Sequence, residues 1–283
     1  YASSTWDDMP VNYETPDAPI GTATDVITRA SSGEKAEKVT IEPTPADHVS
    51  LGLDGVALEP RDKALEAIAK LDGAFSKIGQ GSIFVDHTTV STRVTKELVD
   101  LAIQKEFDFI DAPISGGQAG AENGLLSIMC GGDQQAFDKA KPVLETYSKI
   151  CKRIGESGAG QQTKMCNQIA IAGLVQGLSE ALHFAEKAGL NGRDVVEVIS
   201  QGAAGSWQME NRYETMLDDY FNHGFAVDWM RKDLKICLEA SDQIGASLPV
   251  TALVNEFYKD VQKMGGGRWD TSSLIARLRN LET

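Results

Sequence analysis

Basic residues are scarce in this chain: 27 Lys and Arg stand against 41 Asp and Glu, for a net charge of −14. Nucleic acid demands a basic surface, so it is excluded as an expected partner. The acidic surface serves solubility, and an anionic substrate would need a local basic pocket. No uninterrupted apolar run reaches the roughly 20 residues that a membrane-crossing helix needs, so no membrane association is expected. Cysteine is sparse: Cys130, Cys151, Cys166 and Cys237 form no C-x-x-C pair, and three of them lie in apolar stretches. That pattern reads as buried, reduced thiols in a reducing compartment, the cytoplasm or the mitochondrial matrix. No His, Cys and Asp stand at metal-ligand spacing, so no metal is expected. The opening Tyr1-Ala2-Ser3-Ser4-Thr5-Trp6-Asp7-Asp8 is too acidic and polar for a signal or transit peptide and lacks an initiator Met, which reads as a fragment or a processed product. Also missing from residues 1–81 is a strand followed by G-x-G-x-x-G and a helix, the usual opening of a dinucleotide-binding fold.

What is present suits one large domain or two modest ones with a real core, at 283 residues and 42% hydrophobic. Pro10, Pro16, Pro19, Pro43, Pro45 and Pro60 punctuate an irregular first stretch, expected to be poorly ordered in large part, with Lys38–Ile41 as its one candidate strand. Residues 61–72 fit a short amphipathic helix with Ala64, Leu65, Ile68 and Leu71 on one face. Beyond Gly81 the pattern sharpens. Ser82–Asp86, Phe107–Asp111, Leu125–Cys130 and Ile150–Ile154 read as strands. Helices are expected between them, from a Ser91 cap to Glu106 and from Asp133 towards Tyr147. Strands alternating with helices argue an α/β sheet. From Gly160 no further strand is expected. A long helix runs from Gln161 to Lys187, and helices follow over 191–201, 206–219, 227–244, 249–264 and 271–281. Asn191, Ser206 and Thr271 are the expected N-caps, and Pro249 is expected in a first turn.

Four short stretches could carry chemistry. Ser115-Gly116-Gly117 follows a strand, where backbone N–H groups and a hydroxyl can meet an anion; taken alone it reads better as a tight turn. Lys164 and Asn167, three apart, point to one side of the long helix. Such a pair suits oxidation of a secondary alcohol, the amine taking the hydroxyl proton; taken alone, Lys164 is an ordinary surface lysine. Lys232-Asp233 follows Phe225 and Trp229 and could meet a carboxylate, a phosphate or a nicotinamide ribose, or be a solvated pair. Asp86-His87-Thr88-Thr89 places hydroxyls at the carboxyl end of a strand, where α/β folds bind ligands; Thr89 or Ser91 capping the next helix explains the same residues.

In order, these stretches resemble the β-hydroxyacid dehydrogenase family, which includes 3-hydroxyisobutyrate dehydrogenase. The likeness runs through Phe84-Val85-Asp86-His87-Thr88-Thr89, Asp111–Ala121, Gly124–Met129, Gly131-Gly132, Gly158–Asn167, Gly224-Phe225 and Lys232-Asp233-Leu234. It covers roughly residues 80–283. It implies a Rossmann-like α/β domain, partial here, joined by the long helix to an all-α C-terminal domain, with the active site between them. The boundaries expected are 1–81 for an atypical segment, 82–159 for the second half of the nucleotide-binding domain and 160–283 for a helical substrate and dimerisation domain. The resemblance implies Lys164 as the catalytic lysine; Ser115, Gly116, Gly117 and Asn167 as substrate-binding residues; and Thr89 and Lys232 as contacts of NAD or NADP. A small hydroxy acid is the implied substrate and a homo-oligomer the implied assembly. The family often has Asn-Asn after its lysine, and here the second position is Gln168.

One further enzyme and one non-enzyme stay open, while Lys164 counts against imine reductases. 6-Phosphogluconate dehydrogenase resembles this family but has a His before the asparagine, where this chain has Cys166. Imine reductase relatives usually lack the lysine. A catalytically inactive partner subunit, or a reader of small acids, would explain the absent glycine-rich loop, and without that loop weak NAD(P) binding is expected.

Overall fold

The computed structural model describes residues 74–281. The expectations for the proline-punctuated opening, for Lys38–Ile41 and for a helix over 61–72 lie outside the described residues. The chain divides into two units, the first ending at Lys164 and the second starting at Met165.

The first unit is a sheet with helices. Strand β1 (Ile83–Asp86), helix α1 (Thr92–Gln104) and strand β2 (Asp108–Asp111) form a parallel crossover, with Asp86 and Asp111 in register at the strand ends. Side chains alternate along a strand. Ile83 and Val85 therefore join Ile110 and the buried face of helix α3 (Gln134–Leu144), through Ala136, Phe137, Ala140 and Leu144. Phe84 and Phe109 point the other way and are covered by Val94, Leu98 and Ala102 of α1. Phe75 packs edge-on against Phe84 and Phe107. Fully buried side chains such as Leu98 and Ile110 each contribute about 1.5–3 kcal/mol of transfer free energy. Strand β4 (Leu126–Gly131) pairs in parallel with β5 (Ser148–Gly155), antiparallel with the two-residue β3 (Ile114–Ser115), and meets the end of β2 at Asp111 and Gly131. Neither β3 nor the short helix α2 (Gly117–Glu122) was expected. Ser115 thus lies in a strand, and the turn proper begins at Gly116.

Helix α4 (Ala159–Lys187) carries the division between the units. The second unit adds α5 (Gly192–Ile199), α6 (Trp207–Leu217), α7 (Val227–Ile244), α8 (Pro249–Lys263) and α9 (Leu274–Asn280). No strand occurs there among the described residues. Ala172 and Val175 of α4, Met230 and Leu234 of α7, and Val254, Tyr258 and Val261 of α8 share one core cluster. The buried Tyr258 hydroxyl donates to the Thr271 carbonyl at 3.1 Å, and burial pushes its phenol well above the usual range.

Ser91, Asn191 and Ser206 cap their helices as expected, Asp133 caps α3, and Pro249 opens α8. Thr271 does not cap. It is buried within a 3-10 turn (Thr271–Ser273) whose cap is Asp270, accepting from Ser272 N at 3.0 Å. Asp270 is anchored in turn by Arg212 at 3.2 Å and Phe225 N at 2.8 Å, so the turn forms one residue earlier and α9 starts later, at Leu274. All four thiols are free, but only Cys130 and Cys237 are buried; Cys151 is half-buried, and Cys166, on α4, is exposed. Among the described residues no helix is long and apolar enough to cross a membrane.

Candidate active site

The carboxyl ends of β1 and β2 carry two buried carboxylates. Asp86 accepts from Thr88 through both the backbone N–H at 2.9 Å and the hydroxyl at 2.8 Å. Burial nonetheless pushes its carboxyl up to about 6. The next residue, His87, is also buried. A carbonyl can only accept, so Nδ1 donates to Ala112 O at 2.6 Å, and Nε2 accepts from the Tyr147 hydroxyl at 3.0 Å. Burial lowers this imidazole to about 4 and keeps it neutral. Thr88 and Thr89 follow as partly exposed residues between β1 and α1. Their backbone is braced by Gln161, whose Nε2 donates to Thr88 O at 2.8 Å and whose Oε1 accepts from Val90 N at 3.2 Å.

Asp111 ends β2 and starts α4. Its carboxylate accepts from Gly158 N at 2.7 Å and Gln161 N at 3.0 Å, satisfying N–H groups that a helix start leaves unpaired. Burial raises its pKa, against the pull of those bonds. The approach requires Gly160, because a Cβ there would overlap the Met129 and Asp111 carbonyl oxygens. Along the same helix, Lys164 is buried, with 8% exposure, and its Nζ donates to Ile114 O at 2.7 Å. Ile114 immediately precedes Ser115, so the lysine stands against the Ser115-Gly116-Gly117 loop. Gly117 has φ +60°, and a Cβ built on it meets nothing within 4 Å, so the loop opens on free space.

In the second unit, Asn167 and Lys232 are joined through two buried residues. Asn167 Nδ2 donates to Gln168 Oε1 at 2.7 Å, and Gln168 Nε2 donates to Asp233 Oδ2 at 2.6 Å. Asp233 Oδ1 pairs with Lys232 Nζ at 3.0 Å. One turn earlier on α7, Trp229 lies 5.6 Å from the Phe225 ring, with the Arg268 guanidinium 4.6 Å over its face.

Every site residue expected from the sequence thus lies in a described element or turn. Ser115, Gly116, Gly117 and Lys164 come together in the first unit, where Thr89 is held by Gln161. Asn167 and Lys232 share one polar chain in the second. Sequence reasoning missed Gln161, Asp111 as a helix-starting acid, and the Gln168–Asp233 link. A signal existed for Gln161: it precedes Lys164 by three residues, so the two share a helix side. Among the described residues no cluster could hold a metal ion.

Two family comparisons match the chain. Residues 23–155 match the NAD binding domain of 6-phosphogluconate dehydrogenase, and residues 158–278 match the NAD-binding domain of NADP-dependent 3-hydroxyisobutyrate dehydrogenase. The first match begins well ahead of residue 80, where the resemblance read from the sequence begins. An uncharacterized oxidoreductase of Shewanella frigidimarina is 59% identical over 70% of this chain and 68% of its own length. The 2-hydroxy-3-oxopropionate reductase of Escherichia coli is 32% identical over 89% of this chain and 91% of its own. Among solved structures, a 3-hydroxyisobutyrate dehydrogenase from Salmonella typhimurium is 27% identical and superposes with a TM-score of 0.70, over 76% of this chain and 75% of that one. The chain therefore belongs to the β-hydroxyacid dehydrogenase family, of the 3-hydroxyisobutyrate dehydrogenase type, a family of oxidoreductases that use NAD or NADP.

Proposed function

We propose that this chain interconverts a small 3-hydroxy acid and its semialdehyde, with Lys164 as the acid–base. The observation that carries the reading is the buried Lys164 Nζ fixed at 2.7 Å on Ile114 O, beside the Ser115-Gly116-Gly117 loop, which opens on free space at Gly117. A short acid has its carboxylate only a few bonds from the reacting hydroxyl. A lysine held one residue away from the Ser115 loop suits that length. In the reductive direction the Lys164 ammonium gives a proton to the carbonyl oxygen; in the oxidative direction the neutral amine takes it from the hydroxyl. The Ser115 hydroxyl and the Gly116 and Gly117 N–H groups hold the carboxylate, and Asn167 orients the substrate through hydrogen bonds. NAD or NADP, when bound, supplies or accepts the hydride. The residues present fit its nicotinamide end. The partly exposed Thr88-Thr89 turn stands at the carboxyl end of a parallel strand, where dinucleotide folds bind their ligand. Lys232, whose Nζ pairs with Asp233 at 3.0 Å, is the second contact. We place the protein in a reducing compartment, the cytoplasm or the mitochondrial matrix.

A 6-phosphogluconate dehydrogenase activity has the family match over residues 23–155 in its favour, but Cys166 stands where that enzyme has its histidine. Two measurements test the proposal. Fluorescence titration of the chain with NADH and NADPH separates a dehydrogenase from an inactive subunit: saturable binding supports the enzyme, and none refutes it. Lys164→Ala should then lower kcat by about 10²-fold or more while leaving the fold intact. Unchanged turnover would remove the lysine from the chemistry.

A further inference from the structure

We infer that Gln161 is a positioning residue that sets the Thr88-Thr89-Val90 loop for the nicotinamide cofactor and locks it to the helix turn carrying Lys164; the inference rests on the reading of Thr89 as a cofactor contact. The Gln161 side chain has no exposed surface. Each of its polar atoms is spent on the main chain of one loop: Nε2 on Thr88 O at 2.8 Å and Oε1 on Val90 N at 3.2 Å. These two groups flank Thr89, so one amide brackets the residue from behind and fixes the direction in which Thr89 faces. Its own N–H is fixed on Asp111 Oδ2 at 3.0 Å, so the bracket cannot slide along the helix axis without breaking the helix start.

A primary amide of this length satisfies both groups at any pH, because the loop presents an acceptor at Thr88 and a donor at Val90. A carboxylate would meet the Val90 N–H but set lone pairs against Thr88 O. A methionine would fill the space and satisfy neither. Lys164 lies three residues further along the same helix, on the same side. One turn of α4 thereby sets both Lys164 and the loop that would contact the nicotinamide. Reacting groups misplaced by about 1 Å can cost on the order of 10²-fold in rate.

The test uses the full chain and three variants. In Gln161→Met, we expect the Kd for NADH or NADPH to rise roughly tenfold, equivalent to about 1.4 kcal/mol. Substrate KM should change less than about twofold, and the Val90 amide should exchange at least about tenfold faster while the Leu98 amide inside α1 is unaffected. In Gln161→Glu, which also guards against a methionine variant that fails to fold, cofactor affinity should be weak at pH 8. It should recover as falling pH protonates the carboxyl, which can then donate to Thr88 O. Loss of bulk or stability alone would not produce that recovery. Thr89→Ala serves as the reference. If Thr89→Ala weakens cofactor binding but the Gln161 variants bind as the wild type does, at whatever melting temperature, the inference is overturned and the cofactor reading stands. If Thr89→Ala leaves affinity unchanged, the reading of Thr89 fails and takes the inference with it.

Discussion

Asp86 and His87 are adjacent, buried and shifted in opposite directions, and their pH dependences should cancel. Asp86 rises from its ordinary 3.8 to about 6, and His87 falls from 6.5 to about 4, burial being the largest cause in both. Folded Asp86 binds its proton more tightly than the unfolded chain does. Its contribution to stability is therefore fully present below pH 3.8 and is lost as pH rises through about 6. Folded His87 resists protonation, so its contribution is present above pH 6.5 and is lost as pH falls through about 4. At about 1.4 kcal/mol per pH unit, each effect amounts to about 3 kcal/mol. Both side chains are nearly inaccessible, at 2% and 4% exposure, so solvent screening removes little of this.

The two slopes oppose each other across the same window, roughly pH 4 to 6.5. Removing one exposes the other. Asp86→Asn keeps an acceptor for Thr88 N but cannot titrate; its own stability should fall by about 3 kcal/mol between pH 6.5 and 4, the unopposed His87 effect, and its difference from wild type over that descent is the missing Asp86 gain, also about 3 kcal/mol. His87→Gln should show the reverse, gaining about 3 kcal/mol over the same descent. Urea unfolding at pH 4, 5, 6 and 7, with each variant subtracted from wild type, isolates the two residues from the other carboxylates that titrate in acid. Difference curves flat to within about 1 kcal/mol would refute the reasoning, as would an NMR titration placing His87 at its ordinary value.

Gly117→Ala adds a methyl group into the open space of the Ser115-Gly116-Gly117 loop at φ +60°, so it should cost only about 1–2 kcal/mol of stability yet, if the loop holds the substrate carboxylate as proposed, raise substrate KM well above any change in cofactor Kd; equal losses would mean general disruption. Gly160→Ala places a Cβ on two carbonyl oxygens and should destabilise the first unit by about 1–3 kcal/mol in chemical denaturation. Light scattering at micromolar concentration should show a homo-oligomer, and a monomer would overturn that expectation.

Most of the architecture was legible because the elements are long or strongly patterned. Val94, Leu98 and Ala102 recur at helical spacing and form the buried face of α1, and the apolar run Ile83-Phe84-Val85 is a strand buried on both faces. What stayed hidden depends on partners distant in sequence. Strand β3 is two residues long and exists only because Ile114 and Ser115 pair with Ile128 and Ser127; no periodicity fits in two residues. Asp270 and Thr271 are both cap-type residues, and the choice between them was made by Arg212 and Phe225, far off in the chain. In the candidate site, Lys164 and Ser115 were found through resemblance rather than through any local pattern. Gln161 and Gln168 look like solvent-facing residues on a helix. Their role comes from the main-chain and carboxylate groups that the fold brings to them.

The spacing of the family-like stretches has a common cause in Asp111. Its carboxylate lies at the end of β2, four residues before Ser115, and takes the N–H groups of Gly158 and Gln161 at the start of α4. It can reach them because Gly131 and Gly160 carry no Cβ; on Gly131 that atom would stand 2.6 Å from Asp111 Oδ1. Gln161, fixed by this contact, reaches across to the Thr88-Thr89 loop, and Lys164, one turn on, reaches Ile114 beside Ser115. Three stretches, Thr88–Val90, Asp111–Ser115 and Gly158–Lys164, are therefore one hydrogen-bonded unit. A shift of the carboxylate would move the Ser115-Gly116-Gly117 loop, Lys164 and Thr89 together. The two glycines let a buried acid set the start of the helix that carries Lys164.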